Sequence, residues 1–291
     1  DAIWCMAYSI DGYYLATGSE DRSVRLWRAT SGALRNVLNG HSGGVTSLSF
    51  GQGGRVLTSG SKDHTARVWD TVNGTARNVC RGHTSSVTDV SVSPNGLFLA
   101  TASKDTTAQL WWLGSSSSCR HRMEGHKQPI VSMHVSPDDS WVATGSKDNI
   151  VRLWSSESGT CAAELHGHTA RVSAVAFTPD SQYLVTGSYD TTLRVWRVQS
   201  GGGDAELGEP QRILQGHTRE VTSIVALPNS EEVVSAACDG TARVWNVRSG
   251  VQRCVLKGHR KVLTAVAVSP DGAFIATASA DKTGEHLEMT A

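Results

Sequence analysis

Apolar and polar positions alternate along this chain in short runs, and turn-forming residues separate one run from the next. Val45-Thr46-Ser47-Leu48-Ser49-Phe50 is followed by a glycine-rich turn at 51–54, then by Val56-Leu57-Thr58-Ser59-Gly60-Ser61. A tight turn at Lys62-Asp63-His64 leads into Ala66-Arg67-Val68-Trp69. A polar turn at 70–74 leads into a fourth run, 76–80. A period of two puts alternate side chains on opposite faces of a strand. Runs of about five residues bounded by Gly, Asp, Asn, Ser and Pro predict antiparallel meanders. No window carries an apolar stripe of helical period, so the prediction is an all-β chain rich in strand.

The same unit recurs. Gly-His pairs stand at Gly40-His41, Gly82-His83, Gly125-His126, Gly167-His168, Gly216-His217 and Gly258-His259. Tryptophans stand at Trp27, Trp69, Trp111, Trp154, Trp196 and Trp245, with spacings of 42, 42, 43, 42 and 49 residues. A period of about 40–45 residues with these anchors predicts four-stranded blades arranged radially. First-strand runs begin near Ile3, Val45, Val87, Ile130, Val172, Val221 and Leu263. Residues 1–291 are therefore expected to form one domain of seven units, near 1–39, 40–81, 82–124, 125–166, 167–215, 216–257 and 258–291.

Within the units four chemical groups keep fixed offsets. An aspartate stands six residues before each tryptophan position, and a serine or threonine four residues before that aspartate. The complete sets are His41, Ser59, Asp63 and Trp69; His83, Thr101, Asp105 and Trp111; and His126, Thr144, Asp148 and Trp154. Two more are His168, Thr186, Asp190 and Trp196, and His217, Ser235, Asp239 and Trp245. A hydroxyl repeated on strands expected to be buried calls for a chain of hydrogen bonds in which imidazole, carboxylate, hydroxyl and indole N–H satisfy one another. Each bond contributes only about 1 kcal/mol net, whereas an unpaired partner costs about 1–3 kcal/mol.

These residues resemble the WD-repeat family over essentially the whole chain, although only Trp69-Asp70 spells the eponymous dipeptide. The resemblance implies a β-propeller of four-stranded blades, a structural role for the repeated tetrads, and no catalysis or cofactor. It also implies that partners meet the face carrying the Gly-His loops and the Asp turns. Three positions per unit point there: the third and fifth after the His, and the residue before the Asp. The last are Glu20, Lys62, Lys104, Lys147, Tyr189, Cys238 and Ala280. The third positions are Ala2, Gly44, Ser86, Pro129, Arg171, Glu220 and Val262, and the fifth are Trp4, Thr46, Thr88, Val131, Ser173, Thr222 and Thr264. Lys62, Lys104, Lys147 and Arg171 form a basic series in consecutive units, with Trp4, Val131, Tyr189 and Val262 as apolar or aromatic neighbours. That combination suits an acidic or phosphorylated peptide. The plainer reading is that the lysines solvate their loops.

Charge and composition narrow the classes. Lysine and arginine number 27 and aspartate and glutamate 27, so net charge is zero and gives no general grip on nucleic acid or anionic membrane. No apolar run reaches the length of a membrane helix, and none opens the chain as a signal segment. The six cysteines contain no C-x-x-C pair. Cys80, Cys119, Cys161 and Cys254 fall shortly before a Gly-His, as interchangeable small apolar residues would. A reducing cytoplasmic or nuclear setting is expected. His, Asp and Ser/Thr imitate a hydrolase triad, but a copy in every unit argues for structure. Histidines about 42 residues apart lack zinc-motif spacing. Gly201-Gly202-Gly203 leads to acidic residues without a phosphate-loop lysine, and reads as an insertion in the fifth unit.

The ends depart from the pattern. The first unit has no His, and in the last one Leu287 takes the tryptophan place, with no fourth run after it. An incomplete seventh blade would leave an unpaired edge, so the expectation is a piece of a longer polypeptide or an alternative C-terminus. The function expected is a non-catalytic protein-interaction scaffold in a regulatory or signalling protein. A propeller enzyme and a nucleic-acid-binding propeller are the alternatives.

Overall fold

The computed structural model describes residues 2–51, 53–114, 118–198, 209–269, 271–281 and 283, and the backbone of 284–288. The insertion expected at 201–206 lies outside these residues. Among the described residues there are strands and no helix, arranged in seven antiparallel sheets. Six have four strands in simple sequence order, and the seventh has three. The second repeat is representative, with strands Val45–Gly51, Val56–Ser61, Thr65–Asp70 and Thr75–Arg81. In the fifth repeat the outermost strand shrinks to Arg212–Leu214. The last sheet comprises Leu263–Val268, Phe274–Ser279 and Gly284–Glu288. Its register pairs Ile275 with Leu287, just as Leu57 pairs with Trp69 in the second repeat, so Leu287 holds the tryptophan place.

Two compact units are present: Asp1–Val135 with Ser155–Thr160, and Ser136–Trp154 with Cys161–Ala291. In the first, Leu26, Leu38, Leu48, Leu57 and Trp69 form a core between the first and second sheets. Val56, Val68, Val87, Leu99 and Trp111 form the next. In the second unit the same pattern gives a core around Leu153, Leu184 and Trp196, then one around Val195, Val233 and Trp245. Trp69, Trp111, Trp196 and Trp245 thus pack back against the preceding sheet. Removing such a fully buried indole costs about 3–5 kcal/mol.

Small residues let the sheets approach. The residue after the tetrad hydroxyl is glycine in four repeats; one is Gly145, and the other three are Gly18, Gly60 and Gly187. A Cβ on these three would stand 2.6–2.7 Å from the Cγ1 of Val45, Val87 and Val221 in the next sheet. Hydrogen bonds then tie successive first strands together. The Thr46 hydroxyl donates to the Val87 carbonyl at 2.6 Å and Thr88 to Ile130 at 2.9 Å. In the second unit Ser173 donates to Val221 at 2.5 Å and Thr222 to Leu263 at 2.8 Å.

A buried carboxylate, not singled out by the sequence pattern, reinforces the first unit. Asp89 accepts from the Ser47 hydroxyl at 2.7 Å, from Val90 N at 2.9 Å and from Met133 N at 2.8 Å. Burial pushes its carboxyl up to about 6, and the three donors restrain the rise.

The cysteines divide by position. Cys80 is buried, whereas Cys119 and Cys161 are exposed at the start of fourth strands, so they do not act as apolar packing residues. All six are free thiols.

Candidate partner-binding loops

The tetrads form at the loop ends of the sheets. In the second, third, fifth and sixth repeats the His Nδ1 lies 2.7–2.9 Å from the Asp Oδ2. The His Nε2 lies 2.7–2.9 Å from the Ser or Thr hydroxyl. That hydroxyl also accepts the indole N–H of Trp69, Trp111, Trp196 or Trp245 at 2.8–2.9 Å. With its proton on Nδ1 the imidazole donates to the carboxylate and its Nε2 accepts from the hydroxyl, which keeps a lone pair for the indole N–H. Burial alone would raise Asp63, Asp105 and Asp190, but donors from His, Thr and the backbone outweigh it and hold them far below the ordinary carboxylate range. Asp239 is also lowered, and burial lowers His217 against the pull of that carboxylate.

Incomplete sets show which members are separable. The first repeat lacks the His, and Trp27 still donates to Thr17 at 2.9 Å while Asp21 turns to Ser23 and Arg25. The seventh keeps His259–Asp281 at 3.0 Å and His259–Thr277 at 2.9 Å. The fourth set is complete in sequence, and in it Trp154 donates to Thr144 at 2.9 Å while Asp148 accepts from Arg152 at 3.3 Å. Ser59, Thr101, Thr186 and Ser235 are each 0% exposed, so no substrate reaches these hydroxyls. Among the described residues no group of His, Cys, Asp and Glu has the arrangement to hold a metal ion.

The tetrads set the posture of the loops above them. The Asp Oδ2 accepts the backbone N–H of the residue after the His, as at Ser42, Thr84, Thr169, Thr218 and Arg260. A further backbone bond joins two of the positions expected at a partner surface. The N–H of the residue before the Asp donates to the carbonyl of the third residue after the His. The pairs are Glu20–Ala2, Lys62–Gly44, Lys104–Ser86, Tyr189–Arg171, Cys238–Glu220 and Ala280–Val262, at 2.8–3.0 Å.

The fifth position behaves differently. A register shift skips Trp4, Thr46, Thr88, Ser173, Thr222 and Thr264 in their first strands. Such a bulge re-aims the side chain. Thr46, Thr88, Ser173 and Thr222 are thereby spent on the neighbouring strand rather than offered to a partner. Val131 is half-buried.

The basic series is less free than its sequence suggests. Lys62 Nζ sits 3.1 Å from both Glu20 carboxylate oxygens and 3.7 Å from the centre of the Trp4 ring. Trp4 itself is 48% exposed, so the indole still presents apolar surface beside a neutralised lysine. Lys104 is exposed in the first unit and Lys147 in the second. The Arg171 guanidinium lies over the Tyr189 ring at 3.6 Å, and both are half-buried. Pro129, Glu220 and Val262 are also half-buried. The Glu220 carboxylate lies 3.7 Å from Arg219 Nε.

The sequence reading passed over Arg219, Arg260 and Lys261. With Cys238, Gly240 and Ala280 they line an open cleft of about 490 Å³ between the sixth and seventh repeats. The available signal was the run of small residues at Cys238, Gly240 and Ala280, where other repeats carry larger ones.

Seven meander sheets with a buried His–hydroxyl–indole bond network define the blades of a β-propeller. The chain belongs to the WD-repeat family: the model described as "WD domain, G-beta repeat" matches residues 1–28, 32–70, 74–111, 117–155, 159–197, 208–246 and 250–283. The repeats of this family support a protein-interaction propeller.

Individual relatives are similar over short stretches. One is the probable cytosolic iron-sulfur protein assembly protein 1 of Cryptococcus neoformans, 38% identical over 56 residues, which is 17% of this chain and 13% of that protein. Another is the SIR4-interacting protein SIF2 of Saccharomyces cerevisiae, 42% identical over 52 residues, 18% of this chain and 10% of that protein. The chain thus spans about an eighth or less of the length of the curated relatives it matches.

Proposed function

We propose that this chain is a non-catalytic protein-interaction scaffold, the WD-repeat module of a larger regulatory or signalling protein, acting in the cytoplasm or nucleus as one domain over 1–291. Its partner is a protein or peptide rather than nucleic acid or membrane. The observation that carries the reading is the contrast within each repeat. A buried network fixes the loop backbone, and the two backbone-paired positions above it change chemistry from repeat to repeat, from Glu20 to Lys62 to Tyr189 to Cys238. Rigid display of varied side chains lowers the ordering cost of association. The name of one short-range relative records a protein partner, and that of another an assembly role, in keeping with such a module.

The loop residues assigned to partner binding are Trp4, Glu20, Lys62, Lys104, Pro129 and Val131 in the first unit, and Lys147, Arg171, Tyr189, Glu220 and Val262 in the second. The test is hydrogen–deuterium exchange on the chain with and without a partner isolated from cells. Protection at the Gly-His loops and Asp turns is expected. Lys104→Glu with Lys147→Glu should weaken capture while the melting temperature stays nearly unchanged. Protection confined to fourth strands, or turnover of a substrate lost on mutating a loop residue, would overturn the proposal.

A further inference from the structure

One face of the first sheet, the face that carries Trp27, is bare. The register sets Tyr8, Leu15, Trp27 and Leu34 in one row across the four strands, and Met6, Thr17, Arg25 and Val37 in the next. Residues opposite one another in antiparallel strands share a face. In the second sheet the same rows run Phe50, Leu57, Trp69, Ala76 and Leu48, Ser59, Arg67, Val79. There Leu48, Leu57 and Trp69 are buried against the first sheet. In the first sheet Met6, Tyr8, Leu34 and Val37, with Ile3 at the strand's start, are 42–59% exposed. Trp27 is half-buried, whereas Trp69, Trp111, Trp154, Trp196 and Trp245 are buried. A contiguous apolar face of this kind marks an interaction site.

The seventh sheet leaves the complementary face bare. Its register places Ala265 opposite Ala278 and Ala267 opposite Ala276. Ala265, Ala267 and Ala276 are exposed and Ala278 is half-buried. Ala16, Ala100 and Ala143, which hold the place of Ala276 in other sheets, are 0% exposed. Side-chain size at the junctions between sheets follows a rule. Where the residue after the tetrad hydroxyl is glycine, at Gly18, Gly60, Gly145 and Gly187, the next sheet opens with Val45, Val87, Val172 or Val221. Where it is alanine, at Ala102 and Ala236, the next sheet opens with the longer Ile130 or Leu263. Ala278 therefore calls for isoleucine or leucine, and the first sheet opens with Ile3. The hydroxyl ties agree. Ser173 donates to Gly187 in its own sheet at 3.1 Å and to Val221 of the next at 2.5 Å. Thr222 donates likewise to Ala236 at 3.1 Å and to Leu263 at 2.8 Å. Thr264 donates to Ala278 at 3.2 Å and, among the described residues, has no acceptor in a following sheet. The Ile3 carbonyl holds the place of those of Val221 and Leu263.

The occupant that fits the first sheet is thus one with small side chains and a reaching hydroxyl, which is the chemistry of the seventh. We propose that the seventh sheet of a second copy of this chain seats on the first sheet, Ala278 of one copy against Ile3 of the other. The Thr264 hydroxyl of the one donates to the Ile3 carbonyl of the other. Copies then associate head to tail, through a junction of the kind that already joins successive sheets within each unit. The partner-binding loops take no part in this contact.

The test is sedimentation velocity of the 291-residue chain over a wide range of concentration, with hydrogen–deuterium exchange at each. Association that grows with concentration is expected, with protection rising at Ile3–Tyr8 and Leu263–Val268 together. Met6→Glu with Tyr8→Glu charges the first face, and Ala267→Arg with Ala276→Arg charges the other, all at exposed positions. Each double variant should sediment as a monomer and keep the circular dichroism of the dilute wild type. An equimolar mixture of the two should form a one-to-one pair and nothing larger, because each copy keeps one intact face. A wild-type chain that stays monomeric throughout, a double variant that still self-associates, or a mixture that does not pair would overturn the proposal. So would equal protection of Ile3–Tyr8 at the lowest and highest concentrations, which would mean that the face is covered within one chain. Should a variant unfold, the wild-type exchange comparison decides by itself. None of these outcomes bears on partner capture by the loops, so the scaffold reading stands or falls separately.

Discussion

Thr101 shows how much rests on a single hydroxyl. It is 0% exposed, lies 2.7 Å from His83 Nε2, and accepts Trp111 Nε1–H at 2.9 Å. Thr101→Val keeps the shape and strands two buried polar atoms, so a loss of about 3 kcal/mol is expected in urea unfolding. Thr17→Val strands only the Trp27 indole and should cost about half as much. Equal losses would mean that the imidazole contributes nothing.

Titration at this scale has opposing signs. Burial lowers His134 from 6.5 to about 4 and also lowers His217, so both bind protons less readily in the folded chain than in the unfolded one. Their contribution is present above pH 6.5 and is lost as pH falls toward 4. Asp89, at about 6 when folded and 3.8 otherwise, favours the folded state at low pH and loses that contribution as pH rises through 6. The tetrad aspartates, held low, matter only below about pH 4. His134 and Asp89 oppose one another between pH 6 and 5, so each masks the other's effect on stability. His134→Gln removes the group that destabilises the fold as pH falls, and should raise stability at pH 5 relative to pH 7 in urea titrations at each pH.

At the scale of strands and sheets, the contact between neighbouring repeats decides which residues are tolerated. Gly60 has ordinary backbone, so alanine fits its conformation, but its Cβ would stand 2.7 Å from Val87 Cγ1 and 3.0 Å from Val90 Cγ1. Val87 is 0% exposed and has no room to yield. Gly60→Ala is expected to cost about 1–3 kcal/mol by overpacking, measured by calorimetric melting. An unchanged melting temperature would show that the sheets slide apart freely.

The repeat itself was legible because alternation, turn residues and the offset tryptophans are local signals. The bulges were not. Nothing in Val45-Thr46-Ser47 announces that Thr46 is skipped in the register and turned onto the next strand. For that reason the fifth position after the His looked available and is largely occupied. The Lys62–Glu20 pair was equally hidden, since its members lie 42 residues apart and meet only when two repeats pack.

For the whole molecule, the near-identical cost of each repeat matters more than any single contact. Solenoid-like chains derive stability from each module and its junction with the next. The four hydroxyl ties run in one sense, from the second, third, fifth and sixth repeats to the next, and Thr264 of the last one donates at 3.2 Å to Ala278 within its own sheet. Among the described residues Leu263–Val268 is tied through side chains to the sixth repeat alone, by Thr222 and Ser223, so fraying should begin there. Amide protons of Leu263–Val268 are expected to trade with deuterated solvent well before those of Val87–Val92, which bond to Thr46, Ser47 and Ser49 on one side and to Ile130, Met133 and Val135 on the other. The sequence in which neighbours let go, rather than the sum of what they contribute, would then govern how long the chain survives a protease.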